Sequence, residues 1–282
     1  MTPQANQAQE KPAPRVSVAV VSHNRVELLR RCLASLEGSH GRESLQLIVV
    51  ENGSRDGSAG LESEFPNVQW IGLPKNFGMT KGWNLGWRAA DAEYVLFLHG
   101  DTEVAPDAIL KLAETLDAHE EAVAVCPLLV DAEGRPAPQL GRFPPDGKWA
   151  PAQVSGPGPV AVDYPRGAAL MVRVFYIRKI RQIDERYGQF GADADLAMQI
   201  KRAGRKVLLV PEARVRHQPR AGYPAIERAD FLLGRAVFLG KYAGFVAGVK
   251  ARIGSVLGPL AGFRLGELKF TLGGQKIDGK QE

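Results

Sequence analysis

Short apolar runs that alternate with amphipathic segments limit what this chain can fold into. In chain order the runs are VSVAVVS, LQLIVVEN, VQWIGL, YVLFL, AVAVCPLLV, GAALMVR and KVLLVPEARVRH. Such runs are typical of strands, and the uncharged ones of strands buried on both faces. Helical patterns follow several of them, such as RVELLRRCLASLEG and APDAILKLAETLDAH, where Pro106 occupies a helix-starting position. The alternation predicts an α/β fold with a doubly wound, mainly parallel sheet, whose ligands gather at the carboxyl ends of the strands.

The pattern also divides the chain into segments. Residues 15–222 carry the alternation and are predicted to form one domain, although residues 131–165 interrupt it with a Pro- and Gly-rich stretch typical of a functional loop or a disordered insert. Residues 1–14 lack a basic start and an apolar centre, so we expect a disordered leader rather than a signal peptide. Residues 223–271 are predicted to be helical and basic, and residues 272–282 to form a solvated, flexible tail.

Composition argues against several classes of protein. With 45% hydrophobic and 24% charged residues, the chain has the composition of an ordinary globular protein. It contains no apolar run of about eighteen residues, the length needed to span a bilayer. The net charge of +5 favours anionic partners such as nucleotides or an acidic membrane face. Nucleic acid is disfavoured because no basic stripe is interleaved with aromatic residues. Cys32 and Cys126 lie in apolar surroundings, as expected of reduced core residues in a cytosolic enzyme.

The YVLFL run ends in the polar residues His99, Gly100 and Asp101, which are costly to bury without partners. A carboxylate at the carboxyl end of a central strand can bind a hard cation such as Mg²⁺ or Mn²⁺, which in turn holds a diphosphate. Alternatively, Asp101 is a turn residue or a cap of the helix that begins near Pro106. The residues alone leave both interpretations open.

Two further polar stretches follow strands. In VVENGSRDGS, Glu51 could accept a hydrogen bond from a pyrimidine base, but the Asn-Gly and Asp-Gly pairs are also ordinary turn dipeptides. In LPKNFGMTKGWNLGW, the glycines allow the backbone to approach a ligand, and Lys81 could supply charge to a phosphate. The alternative is a glycine-rich helix start that packs tightly on the sheet. No GxGxxG motif follows the first strand, which disfavours a dinucleotide-dependent dehydrogenase.

Two acids and a histidine complete the candidates. Asp193 and Asp195 lie where the segment GADADLAMQIKRAG begins a helix. The helix dipole would stabilise both as plain caps, or one of them could act as a general base toward a reacting hydroxyl. His217 ends the run KVLLVPEARVRH and, by itself, is more typical of a structural histidine than of a ligand.

The order of these stretches resembles that of the family 2 glycosyltransferases, specifically their bacterial rhamnosyltransferase-like branch. The stretches that carry the resemblance are VVSHNR, VVENGSRDGS, KNFGMTKGWNLGW, LFLHGDTEV, RGAALMVR, DERYGQFGADADLAMQIKRAG and VPEARVRH. Each is a weak signal, but the full series at these spacings is specific, and it covers residues 15–217. The resemblance implies a GT-A (Rossmann-like) fold, a nucleotide-binding α/β domain, to which this chain adds its helical C-terminal extension.

The resemblance also implies an activity. Members of the family transfer a sugar with inversion from a nucleoside diphosphate donor to a hydroxyl of an acceptor, here a glycan or a glycolipid. A dTDP- or UDP-sugar is the implied donor, and the branch favours dTDP-rhamnose. Glu51 stands where the family more usually has Asp, which keeps the charge and adds a methylene. The implied donor-binding residues are Ser22, His23, Asn24, Arg25, Glu51, Asn76, Lys81 and Gly100.

The resemblance assigns the chemistry to a divalent cation, Mg²⁺ or Mn²⁺, and to a carboxylate base, Asp193. At the position of His99 the family more often has Asp or Asn, and Ala192 replaces the Glu of the family's Glu-Asp pair. The implied metal ligands are Asp101, His217 and His99. The implied acceptor side comprises Arg166, Gly167, Asp195 and the loop 131–165.

Alternatives to this function follow from two positions, His99 and Ala192, at which the chain differs from the usual family pattern. With His99 and Ala192 the chain could be a non-catalytic nucleotide-sugar-binding protein. A sugar nucleotidyltransferase on a similar fold is disfavoured because no glycine-rich, Arg-containing loop follows the first strand. The basic region 223–271 either packs on the domain or docks on an anionic membrane that carries a lipid-linked acceptor. We expect a cytoplasmic protein, with or without peripheral contact at the inner face of the cell membrane.

Overall fold

The computed structural model describes residues 13–154 and 156–280. The predicted leader, residues 1–14, lies outside this part of the chain except for its last two residues. The strands are β1 Val16–Ser22, β2 Leu45–Glu51, β3 Gln69–Gly72, β4 Tyr94–His99, β5 Thr102–Val104, β6 Ala122–Val130, β7 Pro138–Leu140, β8 Ala150–Pro151, β9 Val160–Val162, β10 Ala169–Arg173 and β11 Lys206–His217. The α-helices are α1 Val26–Glu37, α2 Gly78–Arg88, α3 Ala108–Ala118, α4 Val174–Lys179, α5 Ala192–Arg202, α6 Ala225–Tyr242, α7 Phe245–Ala261 and α8 Leu265–Leu272.

The main sheet has the strand order β3-β2-β1-β4-β10-β6-β11-β5, and β9 also pairs with β11. Neighbours β3, β2, β1 and β4 are parallel, as are β6 and β11. Strand β10 lies between β4 and β6 and is antiparallel to both. The predicted α/β fold with a mainly parallel sheet is confirmed, whereas the antiparallel strand in its middle was not predicted.

Helices cover both faces of the sheet, which explains why β1, β4 and β6 contain no aspartate, glutamate, lysine or arginine. One core cluster joins α1 and α3 to one face, to which β4 contributes Leu96 and Leu98. The opposite cluster includes Val95 and Phe97 of β4 together with residues of α2, α4, α5 and α6. Trp83 of α2 stacks on Phe97 with ring centroids 4.7 Å apart.

Glycines bring α2 close to β1. A Cβ atom at Gly82 would lie 2.6 Å from Val21 Cγ1, and one at Gly86 would lie 2.5 Å from Ala19 Cβ, so neither position could hold a larger residue without a shift. The tight packing of a glycine-rich helix start, one of the two interpretations of this stretch, is therefore what the structure shows. Cys32 and Cys126 are buried and unpaired, and burial raises the pKa of each thiol to about 12, as expected of core residues.

The Pro- and Gly-rich stretch 131–165 has more structure than its sequence indicates. Strands β7 and β8 pair with each other, and β9 joins the main sheet. Gln139 is buried, and its side-chain amide bonds to the backbone of β6, accepting from Leu129 N at 2.7 Å and donating to Pro127 O at 3.0 Å. Buried side chains anchor this stretch to the sheet, which disfavours the disordered insert and favours the functional loop among the two predicted alternatives.

The C-terminal region forms α6, α7 and α8, as the helical prediction for residues 223–271 requires. Among the described residues, no helix combines the length and the hydropathy needed to cross a membrane. The tail differs from the expectation of a solvated segment, because Ile277 is buried and Lys276 Nζ donates to Glu185 O at 2.8 Å. The sequence LGGQKIDGKQE does not predict that the tail packs on the domain. This packing depends on the side chain of Ile277 and on a carboxylate of α6.

That carboxylate is Asp230, which fastens two segments to α6. Its Oδ2 accepts hydrogen bonds from Gln189 N at 2.9 Å and Phe190 N at 3.0 Å, and its Oδ1 accepts one from Ile277 N at 2.9 Å. We expect Asp230→Asn to lower the free energy of unfolding by about 1–3 kcal/mol, because the new amide NH₂ must face a backbone donor in the core. Chemical denaturation measures this, with Glu62→Gln at an exposed position as control.

Burial raises the pKa of Asp230 from 3.8 to about 6, against the three backbone donors. A folded-state pKa above the unfolded value means that stability is lost as the pH rises across that interval. The free energy of unfolding of the wild type should therefore fall as the pH rises from about 4 to about 6. The Asn variant should lack this pH-dependent decrease, because its amide does not titrate. If the unfolding free energy of the Asn variant fell as steeply as that of the wild type across this pH interval, the assigned role of Asp230 would be contradicted.

Candidate functional site

A cleft of about 670 Å³ opens where β1 and β4 end. Ser22, Gly100 and Asp101 line it from the strand ends, and Asp193 from the start of α5. Helices α6 and α8 and the segment 145–149 form the other walls. The cleft therefore holds the two acids on which the sequence prediction depends, one at the end of the central strand and one at the start of the helix.

Three side chains converge at the floor of this cleft. Asp101 Oδ1 lies 3.4 Å from His217 Nε2 and 3.8 Å from His99 Nδ1. The ligand atoms of the three residues all lie within 4.8 Å of one another. The pairing of β5 with β11 is responsible, because Thr102 lies opposite His217 and so draws the end of β11 beside Asp101.

The electrostatics of this cluster suit a cation. Burial raises the pKa of Asp101, but His217, His99 and Arg25 outweigh it and lower the pKa to about 2. Asp101 Oδ2 accepts a hydrogen bond from Arg25 Nη1 at 3.1 Å, whereas Oδ1 is buried without a hydrogen-bond partner in the described structure. Burial lowers the pKa of His99 to about 4, although Asp101 opposes this. An ionised carboxylate and a neutral imidazole are both in the protonation state that metal binding requires.

Two other buried polar atoms on the cleft wall, Ser22 Oγ and Trp83 Nε1, also have no hydrogen-bond partner in the described structure. Buried polar groups in folded proteins almost always have a partner. Together with Asp101 Oδ1, these atoms indicate that the cleft is built for a polar ligand. Gly100 allows the close approach at this point, because a Cβ there would lie 2.7 Å from Ser22 Oγ.

The predicted donor residues fall into two groups. Those that line the cleft are Ser22, His23, Arg25, Asn76 and Gly100. Asn24, Glu51 and Lys81 do not, and each has a partner elsewhere. Asn24 Oδ1 accepts from Arg55 N at 2.7 Å, Glu51 Oε1 accepts from Ser54 N at 2.8 Å, and Lys81 Nζ pairs with Glu185 at 3.1 Å.

Asn52, which its Asn-Gly pair indicates only as a turn residue, does line the cleft. Its Oδ1 accepts from Phe77 N at 2.8 Å and its Nδ2 donates to Gly78 O at 3.2 Å, so it ties the end of β2 to the start of α2. Its backbone O lies 2.8 Å from His23 Nδ1. No feature of the sequence distinguishes this asparagine from a turn residue, because the same Asn-Gly pair serves both roles.

Asp193 lies in the first turn of α5, two residues after Gly191, which has a left-handed conformation with φ 102°. Its Oδ1 accepts from Ala194 N at 2.8 Å and from Tyr164 OH at 3.2 Å, and its Oδ2 accepts from Gly167 N at 3.2 Å. Burial raises its pKa, although these donors oppose the shift. The carboxylate is thus held in one orientation and carries a raised proton affinity, as a general base requires.

The predicted acceptor-side residues separate in the structure. Arg166 and Gly167 line the cleft, and the Arg166 guanidinium lies 5.4 Å from the ring centroid of Trp149. Asp195 is fully buried away from the cleft lining, where Tyr242 OH donates to its Oδ1 at 2.8 Å and Lys241 Nζ lies 2.8 Å from the same atom. The prediction that Asp195 belongs to the acceptor side is wrong, since its carboxylate anchors α5 to α6.

Several cleft residues were not predicted as site residues. Tyr164, Phe190, Tyr223, Phe231 and Arg264 all line the cleft. Most of them come from the C-terminal helices and the segments beside them, where the sequence offers aromatic residues and arginines but no motif. The C-terminal region is therefore a wall of the candidate site as well as a helical extension.

Comparison with known proteins identifies the family of the chain. The model of the family described as Glycosyl transferase family 2 matches residues 17–176, which is more than half of the chain. The chain belongs to glycosyl transferase family 2. The family predicted from the order of the sequence motifs is thereby confirmed.

Curated relatives carry transferase names. An N-acetylglucosaminyltransferase of Mesorhizobium japonicum is 29% identical over 221 residues, which cover 72% of this chain and 51% of the relative. An N-acetylglucosaminyl-diphospho-decaprenol L-rhamnosyltransferase of Mycobacterium tuberculosis is 27% identical over 230 residues, covering 71% of this chain and 75% of the relative. The chain thus spans about half the length of the first relative and three quarters of the second.

Solved structures support the fold. The structure of GalNAc-T7 with UDP, GalNAc and Mn²⁺ aligns with a TM-score of 0.63 at 16% identity and covers 73% of this chain and 43% of that one. The structure of residues 1–349 of TarS from S. aureus with UDP gives a TM-score of 0.58 at 16% identity, covering 80% of this chain and 65% of that one. These neighbours confirm the predicted GT-A fold.

The three-residue cluster predicts cation binding. We expect His217→Ala to weaken Mn²⁺ binding by about tenfold or more, because it would remove one of the three candidate ligands found in the described structure. Titration of Mn²⁺ into the protein, followed by the electron paramagnetic resonance of the free ion, measures the affinity. His119→Ala is the matched control, since His119 lies near Glu121 at the protein surface. Identical Mn²⁺ titrations for the two variants would contradict a cation site at this cluster.

Proposed function

We propose that this protein is an inverting glycosyltransferase that moves a sugar from a nucleoside diphosphate donor to an acceptor hydroxyl. The observation that carries the proposal is that a cation-compatible cluster at Asp101 and an oriented carboxylate at Asp193 line the same cleft. Two such centres are what a single displacement needs, one for the leaving diphosphate and one for the attacking hydroxyl. Membership of family 2 supports the same reaction.

On the donor side, His99, Asp101 and His217 would hold the cation, which when bound offsets the negative charge that develops on the leaving diphosphate. Two imidazoles and one carboxylate form a softer donor set than the oxygen ligands that Mg²⁺ prefers, which supports Mn²⁺ over Mg²⁺. Arg25 Nη1 lies 3.1 Å from Asp101 Oδ2 and lines the cleft, so it would orient the carboxylate and add positive charge near the phosphates.

On the acceptor side, Asp193 would take the proton of the attacking hydroxyl. Its raised pKa increases its proton affinity, and the three hydrogen bonds from Tyr164, Gly167 and Ala194 fix its orientation. The hydroxyl oxygen then bonds to the anomeric carbon as the bond to the diphosphate breaks on the opposite face. Inversion follows, and no protein nucleophile is needed.

The donor and acceptor classes follow from chemistry and from relatives. We propose a dTDP- or UDP-sugar as donor, with dTDP-rhamnose favoured because one relative is named as a rhamnosyltransferase. That relative's name also contains a diphospho-decaprenol acceptor, which supports a lipid-linked glycan here. A cytoplasmic protein in peripheral contact with the inner face of the membrane, acting in polysaccharide or cell-envelope synthesis, fits such an acceptor.

A second candidate function is nucleotide-sugar binding without catalysis. It is favoured by Ala192, which lines the cleft where the family more usually has a glutamate beside the base. Donor hydrolysis distinguishes the two, because a transferase leaks some donor to water. Release of nucleoside diphosphate in the presence of Mn²⁺ supports the enzyme, whereas tight donor binding with no release supports the binding protein.

The role of Asp193 can be tested by substitution. We expect Asp193→Asn to keep donor binding while lowering sugar transfer or donor hydrolysis by about a hundredfold or more, since the amide cannot accept the proton. Donor affinity by calorimetry and nucleotide release by chromatography separate the two effects. Asp163→Asn, which alters an exposed residue paired with Lys201, is the control. Unimpaired turnover in Asp193→Asn would remove it as the base.

The cation can be tested by its removal. Excess EDTA should weaken the binding of UDP or dTDP, because the diphosphate would then meet the Asp101 carboxylate without a bridging charge. Mn²⁺ should restore the affinity more completely than an equal concentration of Mg²⁺. Nucleotide affinity that is indifferent to EDTA would argue against a metal-bridged donor.

A further inference from the structure

Helix α7 presents an unpartnered apolar face to solvent. The apolar face consists of the side chains of Phe245, Val249, Ile253, Leu257, Leu260 and Phe263. Their spacing of three or four residues places the helical members on one side of α7. Phe245 is 82% exposed and Phe263 is 88% exposed, far more than isolated surface apolar residues need to be. A contiguous exposed stripe of this kind marks an interaction surface.

The charge along the helical part of this face is of one sign. From Ala243 to Gly262 the sequence contains no aspartate or glutamate, whereas Lys250 and Arg252 are cationic. Arg264, beyond the helix, is paired with Glu267 at 3.0 Å. Lys250 is exposed on α7. An apolar stripe flanked only by cations complements a surface that is apolar inside and anionic outside, which is the property of an acidic bilayer.

A basic groove of about 550 Å³ adjoins the apolar face, and Phe245 and Val249 lie on its wall. Four cationic side chains also line it, those of Arg186, Lys241, Arg252 and Lys276, and no acidic residue of the described chain does. Arg186 and Lys241 pair with acids outside the groove lining, Arg186 with Asp184 at 2.7 Å and Lys241 with Asp195 at 2.8 Å. Arg252 Nη2 instead donates to Thr271 O at 2.6 Å, and Lys276 Nζ to Glu185 O at 2.8 Å. Because these last two partners are neutral carbonyls, the groove keeps the positive charge of Arg252 and Lys276.

We infer that the apolar face and the basic groove together dock the protein on an anionic lipid bilayer. The apolar side chains would enter the interface between headgroups and acyl chains, and the groove would take the phosphate of an anionic lipid headgroup. The docking is peripheral, since no described helix can cross a membrane. A second copy of the chain is the poorer partner, because two such faces would bring their cations together.

The apolar face lies next to the cleft, which relates the docking to the candidate site. Arg264 lines the cleft, and its neighbours Phe263 and Leu265 are 88% and 70% exposed. The apolar face therefore ends at the cleft wall. A lipid-linked acceptor would meet the cleft without leaving the bilayer, a consequence that rests on the proposed function, whereas the docking itself does not.

Vesicle flotation tests the inference on the full chain without donor or acceptor. The wild type should float with vesicles of phosphatidylcholine and phosphatidylglycerol, bind at least about tenfold less to phosphatidylcholine alone, and be released by high salt. The double variant F245S/F263S should lose about tenfold or more of this binding, because each exposed ring contributes through insertion. Lys250→Glu should weaken binding to the anionic vesicles selectively.

Matched controls come from α4, on another part of the surface. Phe175 is 54% exposed and Lys179 is exposed, so Phe175→Ser and Lys179→Glu make the same chemical changes away from the face. Both controls should float like the wild type, and thermal unfolding verifies that every variant is folded. Asp193→Asn should also float normally, which keeps a failure of the catalytic proposal distinct from a failure of docking.

Three outcomes would overturn the inference. The wild type could fail to float with anionic vesicles, or F245S/F263S could float as well as Phe175→Ser. Alternatively, sedimentation could show a dimer that F245S/F263S dissociates while vesicle binding stays unchanged, which would assign the face to a second copy of the chain.

Discussion

The candidate site depends on the pairing of β5 with the end of β11. This short antiparallel ladder sets Thr102 opposite His217 and so brings two distant parts of the chain to Asp101. Burying a carboxylate opposes its ionisation, but two imidazoles and the Arg25 guanidinium reverse the balance and lower the pKa of Asp101 to about 2. The result is a fixed negative charge with one oxygen, Oδ1, that accepts no hydrogen bond in the described structure. The cation, donor and leaving-group chemistry that we propose all begin from that atom.

Glycines let the other half of the site approach the first. A Cβ at Gly167 would lie 2.7 Å from Trp83 Cη2 and 3.0 Å from Asp193 Cβ, so only glycine allows this backbone to pass between them. The same residue donates its N–H to Asp193 Oδ2 at 3.2 Å. Gly167 lies two residues before β10, the antiparallel strand inserted beside β4. The residue that contacts the proposed base and the strand that ends in His99 therefore belong to neighbouring parts of one sheet.

The sequence predicted the strands and the main helices well, because apolar runs and their ends depend on local composition. It did not predict the direction of β10, since GAALMVR pairs equally well either way and only the distant contacts decide. Asp193 and Asp195 illustrate the same limit within one helix turn. Two residues apart, they point to different sides of α5, and the choice between them is made by Lys241 and Tyr242, which hold Asp195 in the core.

Within the C-terminal helices, one buried carboxylate connects the cleft wall to the apolar face. Glu267 of α8 is fully buried at its side chain and pairs with Arg228 of α6 and, at 3.0 Å, with Arg264 of the α7–α8 turn. A buried charge with two guanidinium partners is costly to separate from either, so the turn that carries Phe263 is held to the helix that forms the cleft wall. These two ion pairs therefore hold the apolar face and the cleft wall in a fixed arrangement. An acceptor fixed in a bilayer and a base fixed on α5 would then approach each other in a limited set of orientations, which is the condition that a single displacement at a carbon centre imposes.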